Sequence, residues 1–283
     1  MLEELLFEVA GARLAARRWR NGPLPVLALH GWLDNAASFD VLAPLLANAD
    51  VLALDLSGHG LSDHRPAQAT YNIWDDLPDI LRVADQLGWQ RFHLLGHSRG
   101  AIIASLMFAA LPERIDSLVM LDVVQPQPVP ISDSFVQLGK FVRETLYTRR
   151  GRARYESVEE ALRVRCKVAK MSERAARPIV ERGIVQRDGA WSWRADPRLH
   201  LASAVKLSEE HNRLLLEQIA ARPHLLLLAE QGVGREMRDE AERERLQGLR
   251  WEMLDGSHHF HLEDAALPIA EKINDFWRAL DNA

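Results

Sequence analysis

Phe92-His93-Leu94-Leu95-Gly96-His97-Ser98-Arg99-Gly100 leads directly into the apolar stretch Ala101–Leu111. The opening residues form a short apolar run that ends in glycine and reads as a buried strand, and the closing stretch reads as a helix. Between them lies a G-x-S-x-G pattern, Gly96 to Gly100. In so tight a turn the central residue adopts a strained backbone, so small residues must flank it at two positions. The Ser98 oxygen is then raised above the sheet edge, and the following helix points its positive end toward it. The pattern is common by chance and can mark a plain turn. The strand before it and the helix after it are the context that gives it chemical meaning.

Comparable apolar runs lie on both sides. Pro25-Val26-Leu27-Ala28-Leu29 ends at His30-Gly31, and Val51-Leu52-Ala53-Leu54-Asp55-Leu56 stops at Ser57-Gly58-His59-Gly60. Ser117–Asp122, His224–Glu230 and Arg250–Leu254 are three more, and Leu5–Ala10 and Ala12–Trp19, parted by Gly11, read as two N-terminal strands. Helices are expected over Ser38–Ala47, over Tyr71–Leu87 and, at the end, over roughly Ala265–Leu280. In the second, Ile73, Leu77, Ile80, Leu81 and Ala84 share one face and Gly88 ends the helix. Buried strands alternating with helices imply an α/β fold, a mostly parallel eight-stranded sheet with helices on both faces.

From Val123 to about Ser203 no run resembles a strand. Pro126, Pro128 and Pro130 open this segment, which then turns helical and arginine-rich, with Glu156–Met171 one strong helix candidate. It is too long for a bare loop. Residues 124–203 are therefore expected to form a mainly helical cap, inserted after the sixth strand over the C-terminal edge of the sheet. Residues 1–123 and 204–283 would form the core. The alternative is an elaborated helical crossover with no part in the site. Phe135, Leu138, Phe141 and Val142 are candidate substrate-cavity residues; packing within the cap is the other reading. Arg149, Arg150, Arg152 and Arg154 read as a solvated face rather than an anion site.

Composition is that of an ordinary globular chain, 47% apolar and 27% charged. A formal charge of −5 offers no electrostatic reason to bind nucleic acid or an anionic membrane. The single cysteine, Cys166, excludes an intrachain disulfide and suits a reducing cytoplasm, where the protein is expected. It reads as a small apolar side chain. Met1 to Ala10 carries glutamates and lacks the pattern of a signal peptide. No apolar run approaches the roughly 20 residues needed to cross a bilayer. The sequence sets no oligomeric state.

Taken together, the motifs resemble those of the α/β-hydrolase superfamily over nearly the whole chain. His30-Gly31-Trp32 resembles its HGx turn, Asp55-Leu56-Ser57-Gly58-His59-Gly60-Leu61-Ser62 its D-x-x-G-x-G-x-S loop, and Gly256–Glu263 its terminal histidine loop. His30-Gly31-Trp32-Leu33-Asp34-Asn35 is similar to serine hydrolase-like proteins of the capped branch. The resemblance implies Ser98 as nucleophile, with an oxyanion hole from the backbone N–H groups of Trp32 and Arg99. Serine at the elbow, where haloalkane dehalogenases and related epoxide hydrolases carry aspartate, disfavours an alkyl–enzyme mechanism. The Trp32 side chain is a candidate substrate contact, or else packs under the cap. The Arg99 side chain reads as a helix-surface charge rather than a substrate contact, and His30 as the residue that holds its turn.

In the family pattern the catalytic histidine lies five residues before a glutamate that starts the last helix. Counting back from Glu263 gives His258, with His259 the second candidate and His261 a packing or capping residue. His97 is expected to face the sheet interior. The acid departs from the usual pattern. The customary G-x-x-D turn after the seventh strand reads Ala229-Glu230-Gln231-Gly232, with glycine at the acid position. The family's alternative, at the end of the sixth strand, is occupied by Asp122; Glu230 is the second candidate. The order Ser98, Asp122, His258 fits the family.

The resulting expectation is hydrolysis of a small carboxylic ester or thioester by Ser98, His258 and Asp122, with no cofactor and no metal. The same triad would also serve a carbon–carbon hydrolase or a cofactor-free lyase. A non-catalytic ligand binder on this fold is the alternative from a different class.

Overall fold

The computed structural model describes residues 2–147, 151–233 and 246–282. Its strands are β1 (Leu2–Val9), β2 (Ala12–Arg20), β3 (Leu24–Leu29), β4 (Ala49–Leu54), β5 (Phe92–His97), β6 (Ile115–Leu121), β7 (Arg154–Tyr155), β8 (Ile184–Arg187), β9 (Ala190–Trp193), β10 (His224–Gln231) and β11 (Trp251–Ser257). Eight of them form one sheet in the order β1-β2-β4-β3-β5-β6-β10-β11. β2 pairs antiparallel with β1 and β4, and all other neighbours are parallel.

Helices cover both faces of this sheet, which explains why its central strands are apolar without alternation. On one face lie α1 (Leu77–Gln86), α2 (Arg99–Ala110) and, later in the chain, the helix Glu209–Ala220. Their Ile80, Val83, Ile103, Phe108, Leu215 and Ile219 share a core with Leu27, Leu52 and Leu94. On the other face the final helix, Ala266–Asp281, packs Ile269, Ile273, Phe276 and Trp277 with Val26, Val51 and Leu227.

Two expected helices are shorter than the apolar spacing suggested. Ser38–Ala47 is replaced by two 3-10 turns, Ala36–Phe39 and Ala43–Leu45. Asn35 caps the first, and Pro44 in the second lacks the N–H that a longer helix requires. Residues 71–76 stay outside α1. The Asp75 carboxylate accepts from the Asn72 backbone and from the Thr70 hydroxyl, and the Tyr71 hydroxyl donates to Asp196. These side-chain bonds compete with helix formation.

Between β6 and the helix Glu209–Ala220 the chain builds a second layer. It contains α3 (Ser134–Tyr147), α4 (Val158–Ala169) and α5 (Glu173–Gly183), so the helix Glu209–Ala220 is α6 and the final helix is α7. Contrary to the reading of this segment as strandless, it also holds a small antiparallel sheet, β7-β9-β8. Asp188 and Gly189, both at positive φ, turn β8 into β9 as a two-residue hairpin. This layer has its own core of Tyr155, Leu162, Ile179, Val180 and Ile184, joined by Leu262.

Most of its attachments fall on loops that follow the C-terminal ends of main-sheet strands, although Arg182 also pairs with Glu4 within β1. Asn35 Nδ2 donates to the Ile179 carbonyl at 2.8 Å, and Arg165 pairs with Asp34, both beyond β3. Arg182 Nε lies 3.0 Å from Asp55 Oδ2, beyond β4, with the two side chains only 2% and 0% exposed. Beyond β11, the Glu263 carboxylate accepts from the backbone N–H and hydroxyl of Ser172, which caps α5. Glu263 therefore fastens the cap and does not begin the last helix, which starts at Ala266.

Candidate active site

Strand order reverses between β3 and β5, and in sheets of this kind that crevice is where ligands bind. Ser98 stands there, between β5 and α2, at φ 53° and ψ −120°. The glycines of its pattern have separate reasons. A Cβ at Gly96 would strike the backbone of Ala101, and one at Gly100 would run into the carbonyl of Leu29 on β3. Only glycine lets the turn close against α2 and β3 at once.

Three side chains from distant loops then form a hydrogen-bonded line. The Ser98 hydroxyl donates to His258 Nε2 at 2.9 Å, and His258 Nδ1–H donates to Asp122 Oδ2 at 2.6 Å. Asp122 is fully buried and sits at φ 62°, a left-handed conformation that aspartate tolerates better than most residues. Its Oδ1 also accepts from the Ala229 backbone at 3.0 Å and its Oδ2 from that of Val233 at 2.9 Å. Both donors come from the end of β10 and its following turn. That turn is where Gly232 stands, and a Cβ there would collide with the Asp122 carboxylate. The two acid positions thus compete for one volume. Glu230 is exposed on the same strand.

The remaining site residues fall around this line. The N–H of Arg99 opens α2, and Trp32 follows the His30-Gly31 turn. His30 Nε2 accepts from the Leu56 N–H at 3.0 Å while Nδ1–H donates to the Gly31 carbonyl at 2.8 Å, which fixes that turn. The Trp32 side chain is 47% exposed, its indole N–H donating to Leu199 of the cap at 3.1 Å. The Arg99 guanidinium is tied to Asp76 at 2.9 Å.

Behind the line lies a cluster of buried imidazoles. His97 Nε2–H donates to the backbone carbonyl of His258 at 2.9 Å, so the residue before the serine holds the loop of the imidazole it bonds. His259 Nε2 lies 3.2 Å from Asp34 Oδ2, and His261 Nε2 lies 3.2 Å from the Ser38 hydroxyl. Burial pushes the pKa of His97 well below the usual histidine value, with the neighbouring imidazoles adding to it, and that of His261 down to about 3. Asp34 is held well below the usual carboxylate range, because Arg165 and His259 outweigh its burial. Asp34, His97 and His259 bring donor atoms within 4.8 Å of one another. Arg165 and His259 already occupy the Asp34 carboxylate.

The expected cavity residues of α3 need correction. Phe135 is 85% exposed, and Leu138 and Val142 are exposed as well. Phe141 lines a separate cavity with Thr145, Tyr71 and Leu201. Among the described residues the helix is held by Gln137, which donates to the Ser203 carbonyl, and by Glu144, which accepts from the Ala202 N–H. Arg154 is exposed and bonds the Asp188 carbonyl, whereas Arg152 lines a cavity; Arg149 and Arg150 lie outside the described residues.

Comparison with known proteins bears on the fold and the family. A family model described as alpha/beta hydrolase fold matches residues 25–157. A serine hydrolase-like protein of Danio rerio is 32% identical over 265 residues, covering 89% of this chain and 81% of that protein. The chain belongs to the α/β-hydrolase family. The crystal structure of a hypothetical protein from Pseudomonas aeruginosa superposes on this α/β-hydrolase with a TM-score of 0.91 at 38% identity, covering 99% and 100% of the two chains. A thioesterase domain from the curacin biosynthetic pathway shares the fold at a TM-score of 0.81 and 24% identity, covering 96% of this chain and 99% of that one. Among the described residues of this α/β-hydrolase, no helix is long and apolar enough to cross a membrane.

Proposed function

We propose that this chain is a serine hydrolase that cleaves a small carboxylic ester or thioester through an acyl-serine intermediate. The observation that carries the reading is the unbroken line from Asp122 through His258 to Ser98, at 2.6 and 2.9 Å. On this reading His258 Nε2 takes the Ser98 proton as Oγ adds to the substrate carbonyl. Asp122 stabilises the imidazolium that forms, and the N–H groups of Trp32 and Arg99 hold the oxyanion. His258 then returns the proton to the departing alcohol or thiol. Water, deprotonated by the same imidazole, adds to the acyl carbon, releases the acid and restores Ser98.

A panel of p-nitrophenyl esters and acyl thioesters, run on wild type and Ser98→Ala, tests this. Turnover by wild type that is lost in the variant is expected; equal rates in the two proteins would end the reading.

A further inference from the structure

A cavity of about 460 Å³ lies between the cap and the loop that follows β3. Its walls are largely apolar, with Leu33 from that loop, Val164 and Val168 from α4, and Trp193 from β9. Arg152, Arg165 and His200 also line it, and no acidic residue does among those described. Nε of Arg152 and Nε of Arg165 are both buried without a hydrogen-bond partner. Arg165 is partly neutralised through Asp34. Burial, and after it the like charge of Arg187, push the Arg152 pKa down, outweighing the attraction of Asp196. Two of its lining residues, Leu33 and His200, touch on the loop that carries Trp32. Leu33 directly follows Trp32, whose ring meets His200 edge-on with centroids 4.9 Å apart.

We propose that this cavity is a substrate subsite for a carboxylate, the substrate being an apolar chain that ends in an anion received by Arg152 and Arg165. The proposal rests on the serine-hydrolase reading for its place in the reaction and on the cavity alone for its ligand chemistry. An apolar body fits the Leu33, Val164, Val168 and Trp193 walls. A planar carboxylate matches the forked N–H donors of the two guanidinium groups that line the cavity.

The test measures protection of the wild-type protein from a fluorophosphonate probe by hexanoate, by neutral hexanamide and by hexyl phosphate, each rate normalised to that without competitor. Hexanoate is expected to protect at concentrations at least tenfold below hexanamide, with the advantage collapsing in Arg152→Gln. Equal protection by hexanoate and hexanamide in wild type overturns the proposal, as does an advantage that survives in Arg152→Gln. Strong protection by hexyl phosphate without protection by hexanoate also overturns it, assigning the cavity to phosphate instead. Should the probe fail to label wild type, the hydrolase reading falls by itself. Tryptophan-fluorescence titration with hexanoate and hexanamide then decides the anion subsite by the same tenfold criterion.

Discussion

Replacing Asp122 with asparagine removes one charge from a carboxylate that receives three N–H donors on two oxygens. Ala229 N–H points at Oδ1, while Val233 N–H and His258 Nδ1–H converge on Oδ2. An amide offers one oxygen. If that oxygen takes the Oδ2 seat, the NH₂ faces the Ala229 N–H, a buried donor–donor contact costing roughly 1–3 kcal/mol of stability. If it takes the other seat, the NH₂ faces His258 and selects the tautomer with its proton on Nε2, which cannot accept from Ser98. Either way the imidazolium loses its counter-charge. The expected loss is roughly 10²–10⁴ in kcat with little change in KM, or about 2.7–5.4 kcal/mol at about 1.36 kcal/mol per decade. The assay is kcat and KM on the best panel substrate, with urea titration to follow the fold. Because Gly232 abuts the carboxylate, Asp122→Gly combined with Gly232→Asp should regain at least about tenfold over Asp122→Gly alone. A kcat within threefold of wild type for Asp122→Asn, or a dead Glu230→Gln beside an active Asp122→Asn, would refute the assignment.

Three further outcomes are expected. His258→Ala should approach Ser98→Ala in severity, whereas His259→Ala, which strips Asp34 of a buried partner, should lower stability by about 1–3 kcal/mol with a smaller rate loss; a worse kcat/KM from the His259 variant would transfer the role of base. Arg182→Met leaves the Asp55 carboxylate buried and unpaired and should cost about 3–5 kcal/mol in urea unfolding, against under about 1 kcal/mol for Arg174→Met, whose pair with Asp264 is exposed; comparable losses would mean that the buried pair does not hold the cap. His30, His59 and His97 have pKa values lowered by burial, as does His261, at about 3. The unfolded chain therefore binds more protons below about pH 6.5, and stability present above that value is lost as pH falls toward 3, by up to about 1.4 kcal/mol per pH unit for each histidine. The urea midpoint should thus fall between pH 7.5 and 5.0; a constant or rising midpoint would contradict the buried neutral state.

The main sheet was legible because strands buried on both faces write themselves as continuous apolar runs, and the elbow because its glycines are forced by contacts with Ala101 and Leu29. Glycine at 232 pointed to Asp122 before the collision between those two positions was visible. What stayed hidden depends on long-range contacts. The truncated start of α1 follows from bonds to Asp75 and Asp196, and the 3-10 turns near Pro44 from a cap and a missing N–H. The cap strands are only two to four residues long, but Asp188-Gly189 between Ile184–Arg187 and Ala190–Trp193 was a readable hairpin signal. Helical spacing in α3 correctly marked an apolar face but not which way it turned. Nor did the local sequence separate Arg152, which lines a cavity with residues of α4 and β9, from the exposed Arg154.

The central claim is that Ser98 is an activated nucleophile. Intact-mass and peptide mapping after treatment with a fluorophosphonate measures this directly. The account predicts one adduct per chain, on Ser98, absent in Ser98→Ala and formed far more slowly in His258→Ala and Asp122→Asn. An unmodified wild-type protein, or an adduct that persists in Ser98→Ala, would contradict it.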